Sequence, residues 1–239
     1  MSTIRLLLFT ALLALALAYH LYSSSKMTNA LFNSPIEQAI TARRTYYGLT
    51  NKPLPISDAD VQKIVEEAIK HTPSSFNTQT SRAVLVLGDK NKQLWDAIWA
   101  AQKELLPEAA QAGFKEKFDN AYSSGHGTVV FFEDAEGIKK FIDGSAAFAA
   151  NIPTWSANTN GIAQYIVWST LATHGIGANL QHYGQNVAPV QAAIQKFLGV
   201  PESWTLVAEL PFGVAAGEPG YPGVPKAFNP IEDRVKVVA

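Results

Sequence analysis

Three short apolar runs restrict the folds open to this chain: Ala83-Val84-Leu85-Val86-Leu87, Thr128-Val129-Val130-Phe131-Phe132, and residues 205–210. Each is rich in β-branched, aromatic or long aliphatic side chains and has the length of a buried strand. Between them the apolar period changes. Val61, Ile64, Val65, Ala68 and Ile69 recur at helical spacing behind Ser57-Asp58-Ala59-Asp60, which reads as a capped helix start. Leu94, Trp95, Ile98, Trp99, Leu105 and Leu106 mark another helix, and Ile138, Phe141 and Ile142 another. Residues 35–44, with Ile36, Ala39 and Ile40 on one face, and residues 190–198 read as short helices. Residues 161–174 are apolar nearly all round and predict a buried helix. Helices and strands alternate loosely, so the class is α+β or α/β.

The chain has 239 residues, 47% of them hydrophobic, which is enough for one sizeable core. A net charge of -1 gives no basic excess, and no nucleic acid partner is expected. Cysteine is absent, which excludes disulfides, a thiol nucleophile and a cysteine-ligated metal. The N-terminus stands apart. Residues 6–21 are almost wholly apolar, flanked by Arg5 and by Tyr22-Ser23-Ser24-Ser25-Lys26. A secretory signal with Ala16-Leu17-Ala18 at its cleavage site, an uncleaved anchor, and a presequence compete. Membrane or secretory targeting is the favoured reading, and translation from Met27 would give a shorter, cytoplasmic protein. Residues 1–26 thus stand outside the expected fold, residues 36–216 form its body, and residues 217–239 complete it. That last stretch carries Pro219, Pro222, Pro225 and Pro230, so it reads as an extended arm. Arg234-Val235-Lys236-Val237-Val238 alternates basic and apolar residues and predicts a terminal strand, paired with its own subunit or another.

Much familiar chemistry is missing. Gly175-Ile176-Gly177-Ala178-Asn179-Leu180 lacks the third glycine of a dinucleotide-binding turn. There is no Gly-x-Ser-x-Gly elbow, and the five histidines lack zinc-ligand spacing. What remains is polar. Thr72-Pro73-Ser74-Ser75-Phe76-Asn77-Thr78-Gln79 sets hydroxyl and amide groups in one loop between a helix and a strand. It reads either as a plain connection or as a cradle for a flat, heteroatom-rich ring such as a flavin. Arg43-Arg44-Thr45, expected at the end of the first helix, is either a solvated surface or a phosphate clamp. Arg234 and Lys236 offer a second basic pair.

Taken together these segments resemble the nitroreductase family of FMN flavoproteins. Arg43-Arg44-Thr45-Tyr46-Tyr47 is similar to its Arg-Arg-Ser/Thr opening, and residues 72–79 to its Pro-Ser-Ser-x-Asn-x-Gln loop. Gly175-Ile176-Gly177-Ala178-Asn179-Leu180-Gln181-His182-Tyr183 is similar to its Gly-Leu-Gly-Ala segment, and Arg234-Val235-Lys236 to its C-terminal phosphate-binding strand. The wording resembles most the short fungal and bacterial branch that includes the yeast oxidative-stress homologues.

The resemblance implies an α+β fold with a central antiparallel sheet flanked by helices, and a homodimer that exchanges its C-terminal arms. It implies FMN as cofactor, with Arg43, Thr45, Arg234 and Lys236 on the phosphate and Arg44 or Tyr47 along the ribityl chain or pyrimidine edge. Ser74, Ser75, Asn77 and Gln79 would line the ring from the partner, with Gln181 and His182 near its reactive edge. NAD(P)H would be the donor, in a ping-pong cycle through the flavin N5 to a small nitroaromatic or quinone acceptor, with no catalytic side chain needed. An FMN-binding sensor with little turnover is the alternative. Tyr47 replaces the lysine of many members, His182 replaces a glutamate, and Thr80-Ser81 replaces an aromatic.

Overall fold

Strand β3 (Gly127–Asp134) lies in the middle of the sheet because both its faces are apolar, and seven of its eight residues are buried. It pairs antiparallel with β2 (Ser81–Leu87) on one side and β5 (Trp204–Ala215) on the other. Two-residue strands β1 (Leu49–Thr50) and β4 (Gly177–Ala178) both pair with β5, giving the order β1-β5-β3-β2 with β4 off that path. A register shift between Phe131 and Phe132 marks a bulge against β5. The structure, a computed structural model, describes residues 33–221 and 223–238. The targeting segment read at residues 1–26, and Met27, lie outside the described residues.

Alternate side chains of β3 feed two cores. Val129 and Phe131 pack with Val61, Val65 and Ala68 of α2 (Asp58–His71) and with Val167 and Leu171 of α6 (Ile152–Thr173). Val130 and Phe132 pack with Leu94, Trp95 and Ile98 of α3 (Asp89–Gln102) and with Val190 and Ile194 of α7 (Ala188–Leu198). The result is the expected α+β class, an antiparallel sheet flanked by helices. The cap read at the start of α2 is present in both directions: Asp60 N donates to Ser57 Oγ at 3.2 Å and Ser57 N to Asp60 Oδ2 at 3.1 Å.

Several boundaries differ from the sequence reading. The buried helix begins at Ile152, not near 161, with Pro153 in its first turn. Its early turns carry Ser156, Thr159 and Asn160, polar residues that break the apolar period but are buried. β5 runs past Leu210 through Pro211, which offers no ladder N–H but whose carbonyl accepts from Asn179 N at 3.2 Å. The weakly amphipathic α4 (Glu108–Phe118) was not anticipated, nor was the π-helical turn Asp119–Ser123 that follows it. α5 (Ala135–Gly144) follows β3, capped by Asp134.

The terminal strand predicted at residues 234–238 is not formed in the single chain. Arg234 N and Val235 N both bond Ile231 O in a turn, and Val237 and Val238 are more than four-fifths exposed. A strand needs a paired edge, and no described strand lies beside this one.

The chain divides into two units, residues 1–42 and 43–239. The described part of the first is residues 33–42, which form α1 (Pro35–Ala42) behind Ser34, whose N donates to Glu37 Oε2 at 2.6 Å. This helix stops before Arg43 and Arg44, which belong to the second unit rather than to the helix end. Among the described residues no helix is long and apolar enough to cross a membrane.

Candidate functional site

The opening segment and the segment around β4 lie side by side. Thr45 bridges Ala178 in parallel, Tyr46 N donates to Ala178 O at 3.0 Å, and Asn179 Nδ2 returns to Tyr46 O at 2.8 Å. Asn179 is fully buried, and its amide also reaches Ala121 O at 3.2 Å on the π-helical turn. Arg43 is pinned by a neighbour rather than by a carboxylate: its guanidinium carbon sits 4.2 Å from the Trp168 ring centroid. Its Nε is buried without a hydrogen-bond partner. Among the described residues no carboxylate pairs with Arg43 or with the half-buried Arg44.

A chain of neutral donors continues from this junction. Gln181 Nε2 donates to Asn179 Oδ1 at 2.9 Å, and Tyr122 Oη donates to Gln181 Oε1 at 2.9 Å. The hydroxyls of Tyr122 and Tyr183 lie 3.2 Å apart. The π-helical turn is what aims Tyr122 here, and such insertions recur at functional sites. Asn91 holds the turn from behind, donating to Tyr122 O and Gly125 O at 3.1 Å. Tyr47 stacks on Tyr221 with ring centroids 4.8 Å apart, and Gly220 N donates to Thr45 O at 2.8 Å. The root of the C-terminal arm therefore docks on its own opening segment. Lys117 Nζ lies 5.8 Å from the Tyr47 ring and 5.9 Å from the Tyr122 ring, on a cleft of about 290 Å³.

Electrostatics keep the tyrosines and the histidine of this region neutral near pH 7. Tyr47 is pushed up to about 12 by its hydrogen bond with Tyr221, with burial adding to the effect. Burial raises Tyr122 and Tyr183 above the ordinary phenol value. The His182 ring faces solvent, yet the protein beneath it disfavours the imidazolium and lowers its pKa. Glu209 on β5 is the acid of the region. It is fully buried, pushed up to about 7 by that burial, and accepts from Tyr183 N and Gly184 N at 3.1 Å each.

The polar loop forms a second cluster. Residues 75–77 make one 3-10 turn, with Phe76, Asn77 and Gln79 at φ of 54°, 57° and 51°. Positive φ at a phenylalanine is costly and marks a loop held by its surroundings. Ser74 Oγ accepts from Gln79 N at 3.0 Å, closing the loop on itself. Phe76 rests on Phe141, Phe148 and Trp155, with centroids 5.4, 5.6 and 6.2 Å away. Ser74 and Gln79 line a cleft of about 500 Å³ with Lys70, Arg82 and Trp204. Ser75 instead faces a small pocket beside Phe141 and Trp155.

Behind the loop lies a residue that sequence reasoning missed. Glu133 of β3 is buried, and four side chains donate to it: Thr80 at 2.7 Å, Ser81 at 2.5 Å, Asn160 at 2.8 Å and Ser156. Two donors come from the end of the loop and the start of β2, and two from α6. The available signal was an acid inside an apolar strand run together with polar residues spaced i, i+4 on the next long helix.

The structure thus joins Arg43, Arg44, Thr45 and Tyr47 to the segment carrying Gln181 and His182. Ser74, Ser75, Asn77 and Gln79 form a separate group. Arg234 and Lys236 are exposed on the arm. Among the described residues, no hydrogen bond, ion pair or ring contact connects these three groups to one another.

The model of the nitroreductase family matches residues 40–214. The chain belongs to the nitroreductase family. Members of this family are oxidoreductases. The chain is 37% identical over 182 residues to nitroreductase FRM2 of Saccharomyces cerevisiae, covering 76% of this chain and 88% of that protein. It is similar to the nitroreductase CinD of Lactococcus lactis in complex with nicotinic acid, with a TM-score of 0.73, 34% identity, and coverage of 84% and 98%. That protein has also been solved with chloramphenicol and with 4-nitrophenol. A Desulfovibrio desulfuricans protein solved with FMN shares the fold at 17% identity, with a TM-score of 0.61 and coverage of 87% and 98%.

Proposed function

We propose that this protein is an FMN-dependent NAD(P)H oxidoreductase that reduces nitroaromatic or quinone acceptors in a ping-pong cycle and works as a homodimer. The observation that carries the reading is the hydrogen-bonded junction of residues 43–47 with residues 177–183, in a chain of this family. The Lactococcus relative supports it, since its ligands include a nicotinamide-like acid and two nitroaromatics. FMN, when bound, supplies hydride and electron transfer at its N5.

The residues present fit that group. Arg43, fixed on Trp168 with an unpartnered buried Nε, and Arg44 offer forked cations to a phosphate, and Thr45 adds a hydroxyl. Gln181, oriented by Tyr122 and Asn179, presents an amide held in one rotamer. Tyr47 and His182 add no charge of their own near neutral pH, and the lysine beside Tyr47 is Lys117, whose Nζ lies 5.8 Å from that ring.

The homodimer follows from what one chain leaves unjoined. The loop carrying Ser74, Ser75, Asn77 and Gln79 is rigidly held but does not meet residues 43–47, so a second copy completes the site. The alternating tail at residues 234–238 carries main-chain groups that a strand ladder would satisfy. We assign it to a second copy, with Arg234 and Lys236 brought toward the phosphate. The test is the full chain supplied with FMN, assayed for NADPH and NADH oxidation with 4-nitrophenol or benzoquinone and sized by sedimentation. Acceptor-dependent turnover by a two-chain species is expected. A monomer that takes up no FMN refutes the reading.

A further inference from the structure

One residue touches most of the turn that carries Gln181 and His182. Through its main chain, Glu209 accepts from Gln181 N at 2.7 Å and donates to Gln181 O at 2.9 Å. Through its side chain it takes Tyr183 N on Oε2 and Gly184 N on Oε1, both at 3.1 Å. His182 lies between these anchors, so its backbone position is set from both sides. The far end of the turn is pressed on an apolar floor: a Cβ at Gly184 would stand 2.0 Å from Leu206 Cδ2 and 3.1 Å from Ile194 Cδ1.

The groups facing the carboxylate offer it no cation. The Tyr183 phenol is the titratable group beside it, linked on to Tyr122 of the π-helical turn, and the apolar Ile194 of α7 and Leu206 of β5 close round Gly184 next to its Oε1; exposed His182 exerts no resolved charge on it. Two backbone N–H groups are its compensation among the described residues. A glutamine or apolar residue would be cheaper to bury, because an unpaired carboxylate loses its hydration.

We propose that Glu209 is a positioning residue of the site, whose buried carboxylate fixes the main chain of residues 181–184 and so sets where Gln181 and His182 meet the bound ring. This rests on the FMN reading above. The ionised form accepts both N–H groups equally, whereas the protonated form turns one oxygen into a donor against them. Burial brings this titration to about 7. The turn is therefore held more firmly above neutral pH than below it. The sign is opposite for global stability: a carboxyl whose folded pKa is raised costs the fold stability progressively as pH rises from its unfolded pKa to its folded one. Firm local order at a global cost distinguishes this role from plain structural support.

The test measures amide-exchange protection at Tyr183 and Gly184 in the flavin-free full chain at pH 6 and pH 8.5, and the FMN dissociation constant at both. In the wild type, protection at these two amides and FMN affinity should both rise with pH. Glu209→Gln should remove the pH dependence of protection and weaken FMN roughly tenfold at pH 8.5, as loss of one charge-assisted bond would. His182→Gln should keep the pH dependence, since the imidazole is not its source. Because the wild-type profile needs no variant, a Glu209→Gln chain that fails to fold leaves the test intact. Protection that ignores both pH and Glu209→Gln overturns the proposal. Protection that follows Glu209 in a chain that never binds FMN keeps the positioning role and refutes the flavin reading instead.

Discussion

Glu133 tests the structure through stability alone. Each of its carboxylate oxygens accepts two donors: Thr80 and Ser156 on Oε2, Ser81 and Asn160 on Oε1. Hydrogen bonds to a charged group contribute about 1.5–3 kcal/mol each against about 0.5–1.5 for neutral ones. Glu133→Gln keeps the shape. Its carbonyl can face Ser81 and Asn160, and its amide can donate to the Thr80 and Ser156 hydroxyls, which accept by rotating. Four charge-assisted bonds become neutral ones, costing about 4 kcal/mol, while removal of a buried charge returns a few kcal/mol. The net expectation is a loss of about 1–2 kcal/mol. Glu133→Ala has no such repair. The Asn160 amide keeps only Phe132 O at 3.0 Å, and three buried hydroxyls lose their acceptor, so a loss of about 3–5 kcal/mol is expected. For a chain of this size that corresponds to a Tm drop of roughly 6–20 °C, against roughly 2–8 °C for the glutamine. Urea unfolding of both variants, with the m-value held in common, gives the two numbers. Equal losses in the two variants, or a loss below about 1 kcal/mol in the alanine, would refute the four-donor arrangement.

Asn77→Ala and Asn77→Gly should both lower flavin content after purification, while the glycine is the more stable by about 0.5–1 kcal/mol because the φ of 57° suits it; a fully flavinated Asn77→Ala contradicts this. Arg43→Gln should weaken FMN retention at least tenfold with little change in Tm, since the cation stacks on Trp168 rather than pairing with an acid; fluorescence titration with FMN measures it. Glu209, with its folded pKa raised from 4.5 to about 7, should cost the fold about 3 kcal/mol of stability lost progressively as pH rises between those values and unchanged above; denaturant midpoints for wild type and Glu209→Gln should diverge with that sign.

The sheet was legible because β3 is apolar on both faces, and α2 because Ser57 and Asp60 cap it by side chains that sequence spacing exposes. The start of α6 was not legible. Ser156, Thr159 and Asn160 break the apolar period, and two of them sit against Glu133. The π-helical turn at Asp119–Ser123 has no periodic signature, so the approach of Tyr122 to Gln181 could not be read. The tail failed as a strand for the opposite reason: its alternation is local, but a strand also needs a partner edge, and among the described residues none pairs with it. The candidate residues were legible as segments, through Arg43-Arg44-Thr45 and the polar loop, yet their grouping depends on long-range contacts such as Thr45 with Ala178.

The most direct measurement is the visible absorption spectrum of the purified full chain, supplied with FMN and freed of unbound cofactor, before and after anaerobic NADPH or NADH. Flavin bands that bleach on addition of at least one donor and return when 4-nitrophenol or benzoquinone is admitted are expected. A protein that shows no flavin bands after FMN is supplied, or bands that neither donor bleaches, contradicts the proposed function.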